Sequence, residues 1–68
     1  MIVDLRGEPC GMPIARVEKV IDGAPGAFSV LADSEQTAEQ LRMLAARRGW
    51  RCALAREGAD WRAELSPP

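Results

Sequence analysis

This chain contains no histidine. Because histidine is the usual acid–base group near neutral pH, its absence excludes Ser-His-Asp and Cys-His catalytic arrangements, as well as histidine-based metal sites. Only two cysteines occur among the 68 residues. Two cysteines are too few for a disulfide scaffold and allow one bridge at most. Any covalent chemistry must therefore rest on one of these two thiols or on groups other than imidazole.

Long hydrophobic runs and an excess of positive charge are also missing. No apolar run approaches the roughly 20 residues that a membrane-spanning helix requires, and charge appears as early as Asp4. Nine basic and ten acidic residues give a net charge of −1, which lacks the electrostatic signature of a general nucleic-acid binder. We therefore expect a cytoplasmic monomer that binds neither membranes nor nucleic acid directly and carries no metal ion or cofactor.

What the sequence does contain is enough apolar material for one small core. Apolar residues make up 47% of the chain, an ordinary fraction for a globular domain and too high for a disordered segment. We expect a single domain over residues 1–66. Residues 67–68 are both proline, so we expect them to form a tail that cannot extend a sheet.

Hydrophobic periodicity predicts four strands and two helices. The predicted elements, in order, are strand Ile2 to Arg6, helix Met12 to Asp22, strand Ala27 to Ala32, a second helix ending near Gly49, strand Trp50 to Arg56 and strand Trp61 to Leu65. Either Asp33 or Ser34 is expected to cap the second helix. The residues predicted to face the core include Ile14, Val17, Val20, Ile21, Phe28, Val30, Ala38, Leu41, Leu44, Ala45, Trp50, Leu54, Trp61 and Leu65.

This order of elements predicts an α+β two-layer sandwich. Right-handed crossovers would place both helices on one face of the sheet, and the final hairpin makes the four-stranded sheet mixed. In this βαβαββ arrangement the first helix begins next to Cys10, whereas Cys52 lies in the middle of a strand.

Cys10 is the residue with the clearest chemical potential. It stands where a predicted strand passes to a predicted helix, and helix N–H groups and the helix dipole favour thiolate over thiol. Arg6 and Arg16 could add to this effect, whereas the carboxylate of Glu8 opposes it. We therefore expect at most a moderately lowered pKa for the Cys10 thiol. The alternative is that Cys10 is a small, buried and unreactive residue.

Other uses of the sulfur atoms are possible but have less support in the sequence. Cys52 alternates in register with Trp50 and Leu54, so we expect it to be part of the core. A bridge between Cys10 and Cys52 is conceivable, although it is not expected in a reducing compartment. Cys10 and Met12 are soft ligands that could touch a cuprous ion, although no second nearby cysteine completes such a site.

The run from Val3 to Pro13 resembles the opening of the TusA/SirA-like sulfur-carrier proteins. These proteins have a short strand ending in an Asp-x-Arg-Gly pattern, and then a Cys-Pro-x-Pro motif that starts a helix with a lysine. The residues that match in identity and spacing are Asp4, Arg6, Gly7, Cys10, Pro13 and Lys19. Gly11 stands where the family has its first proline, and Glu8 stands where an apolar residue is usual.

This resemblance implies a covalent sulfur carrier with the same two-layer fold. Cys10 would accept sulfane sulfur from a cysteine desulfurase or a rhodanese-like donor, hold it as a persulfide, and pass it to an acceptor protein. The supporting residues would be Arg6, Gly11, Pro13, Arg16 and Lys19. The departures at Glu8 and Gly11 suggest an alternative, a non-catalytic interaction module that kept the fold and lost sulfur transfer.

Overall fold

The computed structural model describes residues 1–8, 12–23 and 26–68, without the side chains of Met12 and Pro13. The elements are β1 (Ile2–Asp4), α1 (Met12–Asp22), β2 (Phe28–Ala32), α2 (Glu35–Arg47), β3 (Arg51–Glu57) and β4 (Asp60–Ser66). The predicted order and number of elements are confirmed. The bounds of α1 match the prediction, whereas β1 ends two residues earlier than predicted, at Asp4.

The four strands form one mixed sheet in the order β1-β2-β4-β3. β1 runs parallel to β2, with Val3 opposite Val30. β4 is antiparallel to both of its neighbours, and Ala63 lies opposite Val30 on one side and Leu54 on the other. β1 and β3 are therefore the two edges of the sheet, and the connection that carries Cys10 leaves from the β1 edge.

Both helices pack on one face of this sheet, as predicted, and enclose a single core. Val17 and Ile21 of α1 are buried there, and so are four residues of α2, Ala38, Leu41, Leu44 and Ala45. Phe28 meets Trp50 edge to face, with ring centroids 5.9 Å apart. This core supplies the non-polar burial on which the stability of such a short chain depends.

Ser34 is the residue that caps α2, which settles the alternative with Asp33. Its hydroxyl accepts a hydrogen bond from the Thr37 N–H at 3.1 Å, so it satisfies one of the unpaired donors at the start of the helix. At the other end, Gly49 has a φ of +73° and follows the last turn, as a terminating glycine should. Asp33 is thereby left available for another contact.

Arg48 joins the ends of the two helices. Its guanidinium contacts Asp22 at 2.6 Å and Glu18 at 3.6 Å, both on α1. A cation at this position also suits the negative end of the α2 helix dipole. Within the described parts of the chain, no helix is both long and apolar enough to cross a membrane.

Candidate functional site

The candidate site is the connection between β1 and α1, and the structure describes its two flanks. Cys10 and Gly11 lie outside the described residues, together with Pro9. The described backbone resumes at Met12, the first residue of α1, and Pro13 is the second helical residue. Cys10 thus precedes the first turn of α1 by two sequence positions. Proline is well tolerated in this first turn, where its missing N–H has no partner within the helix.

The incoming flank of the connection, residues 5–8, forms a tight turn after β1. Gly7 has a φ of +80°, a backbone conformation that favours glycine, and its N–H donates to the Asp33 carboxylate at 2.7 Å. The Glu8 N–H donates to the Leu5 carbonyl at 3.2 Å. Sequence reasoning considered Asp33 only as a helix cap. The signal that was available is the strand–helix–strand order, because such a crossover makes β1 and β2 parallel and brings their carboxyl ends to the same end of the sheet.

Arg6 is bound on both sides by carboxylates. Its Nε and Nη2 atoms each lie 2.9 Å from an oxygen of Asp4, and Nη1 lies 3.4 Å from Asp60 of β4. Ion pairs this exposed add little to folding stability. Their main effect here is to hold the guanidinium in place. Arg6 was predicted to support the Cys10 thiolate, and the structure shows a guanidinium already engaged by two other anions.

The pairing of Asp4 with Arg6 predicts an unusual acid titration. The side-chain hydrogen bond from Arg6 is the main cause that lowers the pKa of Asp4 from 3.8 to about 2. The stability that this carboxylate contributes should therefore be complete above pH 3.8 and be lost as the pH falls through about 2. Carbon-detected NMR should show the Asp4 midpoint near 2 in the wild type, and a rise toward 3.8 in Arg6→Gln.

A matched control for this titration is Arg42→Gln. Arg42 pairs with Glu39 and lowers the pKa of that carboxyl instead. Its removal should move the Glu39 midpoint upward and leave Asp4 unchanged. An Asp4 midpoint that is the same in the wild type and in Arg6→Gln would contradict the contact between Asp4 and Arg6.

Arg16, the second predicted supporting residue, also has a partner. It lies in the second turn of α1 and forms an ion pair with Glu8 on the incoming flank. This contact spans residues 9–11 and ties the two described flanks together. Sequence reasoning gave Arg16 and Glu8 opposite effects on Cys10 but did not predict that the two side chains meet.

Lys19 is the third predicted supporting residue, and it is exposed in the last turn of α1. No ion pair of Lys19 occurs within the described portion of the chain. A cation in the last helical turn also interacts favourably with the helix dipole.

The helices leave an apolar surface beside the start of α1. A cavity of about 300 Å³ is lined by Ile14, Gln40, Met43 and Arg47. Met43 is 56% exposed. Ile14 is the third residue of α1, so this surface lies within one helical turn of the point where the chain emerges from residues 9–11.

The other cysteine has the properties that were predicted for it. Cys52 is a free, half-buried thiol in β3 that packs against the core. Burial raises the pKa of the Cys52 thiol, and only the nearby positive charge of Arg42 acts in the opposite direction. A thiol of this kind is a poor nucleophile at neutral pH.

Residues 1–66 match a family model described as the sulfurtransferase TusA. A search of curated proteins found no significant match. Among solved structures, the chain is similar to a SirA-like protein from Desulfitobacterium hafniense, with a TM-score of 0.87 and 21% sequence identity. The alignment covers 97% of this chain and 96% of the other chain. At this identity, the structural likeness establishes a shared fold and nothing about activity.

Proposed function

Because this chain belongs to the TusA sulfurtransferase family, we propose that it carries sulfur as a persulfide on Cys10 and delivers it to an acceptor protein. The resemblance that the sequence predicted is confirmed by the family match. The observation that carries the proposal is that the matched region spans residues 1–66 and therefore includes Cys10, two positions before the first residue of α1. The family match identifies no donor or acceptor, and these belong to the proposal.

Each proposed transfer step balances without an oxidant or a reductant. The Cys10 thiolate attacks the terminal sulfur of a persulfide on the donor, so that a new S–S bond forms on Cys10. The S–S bond of the donor breaks, and the donor leaves as a thiolate. In the second step, a nucleophile of the acceptor attacks the terminal sulfur on Cys10, and the Cys10 thiolate is the leaving group. A low pKa at Cys10 would assist both steps.

The start of α1 suits this role. Unpaired N–H groups and the positive end of the helix dipole stabilise an anion near the first turn. Pro13 preorganises that turn, and Gly11 stands where the family usually has a proline. Lys19, exposed on α1, would attract an acidic partner surface. The proposed partners are a cysteine desulfurase or a rhodanese-like donor, and an acceptor in tRNA thiolation, cofactor biosynthesis or sulfur metabolism.

The test is sulfur loading followed by intact-mass measurement. The protein is incubated with a cysteine desulfurase and cysteine, and we expect a gain of about 32 Da, one sulfur atom, that a reductant removes. No gain with any donor would favour the alternative of a non-catalytic interaction module, which the departures at Glu8 and Gly11 support. Stoichiometric retention of cuprous ion would favour a soft-metal carrier using Cys10 and Met12.

The ion pair between Glu8 and Arg16 makes a specific prediction about the reactivity of Cys10. In the wild type the Arg16 charge offsets the Glu8 carboxylate, which is only two residues from Cys10. Arg16→Gln should leave that carboxylate unbalanced and disfavour the thiolate, whereas Glu8→Gln should favour it. For exposed groups in water, a single nearby charge changes such an equilibrium about two- to threefold.

The measurement is the rate of Cys10 alkylation at pH 7 in a Cys52→Ser background. We expect Glu8→Gln to react about two- to threefold faster than the wild type, and Arg16→Gln to react slower by a similar factor. Arg51→Gln serves as the control, because it removes one positive charge, as Arg16→Gln does, but at the opposite edge of the sheet. Equal rates in all variants would mean that the ion pair has no influence on Cys10.

We also propose that residues 1–66 form the whole domain, with residues 67–68 as a tail, and that it acts in a reducing compartment such as the cytoplasm. A carrier thiol has to return to its reduced state after every delivery, which a reducing compartment allows.

A further inference from the structure

We propose that the outer edge of β3 pairs with the same strand of a second copy, giving a two-fold symmetric dimer with one continuous sheet. β3 is seven residues long and pairs with β4 on one side only. No strand covers its other side within the described parts of the chain. A long, uncovered edge offers unpaired backbone N–H and C=O groups to another strand.

The backbone groups that face outward follow from the hairpin. β3 and β4 are joined by the two-residue turn of Gly58 and Ala59, so Glu57 and Asp60 flank the turn and form a hydrogen-bonded pair. Hydrogen-bonded and non-hydrogen-bonded pairs alternate along antiparallel strands. The outward N–H and C=O groups therefore belong to Cys52, Leu54 and Arg56.

A second copy of β3 meets these groups in one favourable register. When an antiparallel copy is centred on Leu54, Leu54 faces Leu54 and Cys52 faces Arg56. Every outward group then has a partner. The same register sets Arg51 opposite Glu57 at both ends of the pair, and Ala53 opposite Ala55 between them. All seven residues of each strand are paired, and a shift of two positions in either direction loses the contacts between Arg51 and Glu57.

The charges give this register its specificity. Charged residues on an edge strand usually prevent pairing, because like charges meet. In the register proposed here, opposite charges meet in the non-hydrogen-bonded pairs, where side chains are closest. Arg51 and Glu57 are both exposed on the sheet face away from the helices, and the alanines beside them leave room for a neighbouring strand. One carboxylate oxygen of Glu57 accepts a hydrogen bond from Arg62 of its own chain at 2.9 Å, so the contact with Arg51 of the other copy would use the second oxygen.

On the helix face, the second copy would cover apolar surface. Leu54 is half-buried and packs against the core from one side. Its symmetry mate would cover the exposed side. Two seven-residue strands nevertheless bury less than the roughly 1,200 Å² of a stable interface. The dimer should therefore be weak and form only at high protein concentration. A dimer of this kind would replace the monomer that was expected from the sequence.

The proposed dimer leaves the candidate sulfur site free. β1 and the turn that follows it lie at the opposite edge of the sheet from β3. Each copy could then meet its own donor or acceptor, and the dimer would present two carriers at once. The inference is independent of the proposed sulfur transfer, because it depends only on the geometry and charges of β3.

A charge-swap experiment tests the register. Sedimentation equilibrium at low salt, with reductant present, should show the wild-type mass rising from 7.4 kDa toward twice that value with concentration. Arg51→Glu and Glu57→Arg each place like charges opposite one another at both ends of the pair, and each should weaken association at least about tenfold. The double variant, with both changes, restores opposite charges and should restore association.

Circular dichroism and sulfur loading serve as controls, and both should be the same in all four proteins. A wild-type protein that stays monomeric at about 1 mM would overturn the proposal. So would a double variant as weakly associated as the single variants, or association that none of the variants changes, because the contact would then lie elsewhere.

Discussion

Cys10→Ser should abolish the gain of one sulfur atom on incubation with a cysteine desulfurase and cysteine, whereas Cys52→Ser should leave the gain intact. The expected contrast has a physical basis in the two positions. Cys52 is half-buried in a strand, where burial raises the pKa of its thiol. Cys10 precedes a helix N-terminus, which favours the anionic form. The measurement is the intact mass of each variant after loading, with the wild type alongside.

A further control is the double variant Cys10→Ser/Cys52→Ser, which lacks both thiols. It should show no gain of mass, which excludes sulfur that adheres without a covalent bond. Circular dichroism should show the same folded state for every variant, because serine is close in size to cysteine. If Cys52→Ser abolished loading while Cys10→Ser did not, the assignment of the carrier residue would be wrong.

Leu41→Ala should destabilise the domain severely. Leu41 is 1% exposed and lies in the core between α2 and the sheet. Truncating a buried leucine to alanine costs about 2–5 kcal/mol, because transfer free energy is lost and a cavity remains. The whole stability of a chain this short is expected to be about 3–10 kcal/mol. We therefore expect a large unfolded fraction near physiological temperature. Urea unfolding followed by tryptophan fluorescence measures the loss, since Trp50 and Trp61 both pack against this core.

Met43→Ala is the matched control on the same helix. Met43 is 56% exposed, so its truncation removes little buried surface and should change the free energy of unfolding by about 0.5 kcal/mol or less. Similar losses for Leu41→Ala and Met43→Ala would contradict the burial pattern of α2. A stable Met43→Ala protein would also be suitable for testing whether this exposed side chain contributes to partner binding.

The candidate site was only partly predictable from the sequence. The position of Cys10 before a helix follows from local signals, namely Pro13 and the apolar stripe that begins at Ile14. The roles of the arginines do not follow in this way. Arg6 was expected to support the thiolate, yet its guanidinium pairs with Asp4 and Asp60. Asp60 is 54 residues away in the chain, and no local pattern connects the two.

Asp33 is a second residue whose contact could not be predicted from the local sequence. Its place after β2 made it a reasonable helix cap, equal to Ser34 by residue type. In the structure Ser34 caps α2, and the Asp33 carboxylate accepts a hydrogen bond from the Gly7 N–H instead. That division depends on β1 and β2 being parallel neighbours, which brings the two strand ends together.

The sequence by itself determined the number and order of the elements, the bounds of α1, and most of the residues that form the core or pack against it. These follow from periodicity, helix-breaking residues and turn residues, whose effects extend over only a few positions. Tertiary structure alone decided the strand order, the partners of Arg6 and Arg16, and which edge of the sheet stays open. Those depend on contacts between residues far apart in the chain, and such contacts exist only once the helices have packed on the sheet.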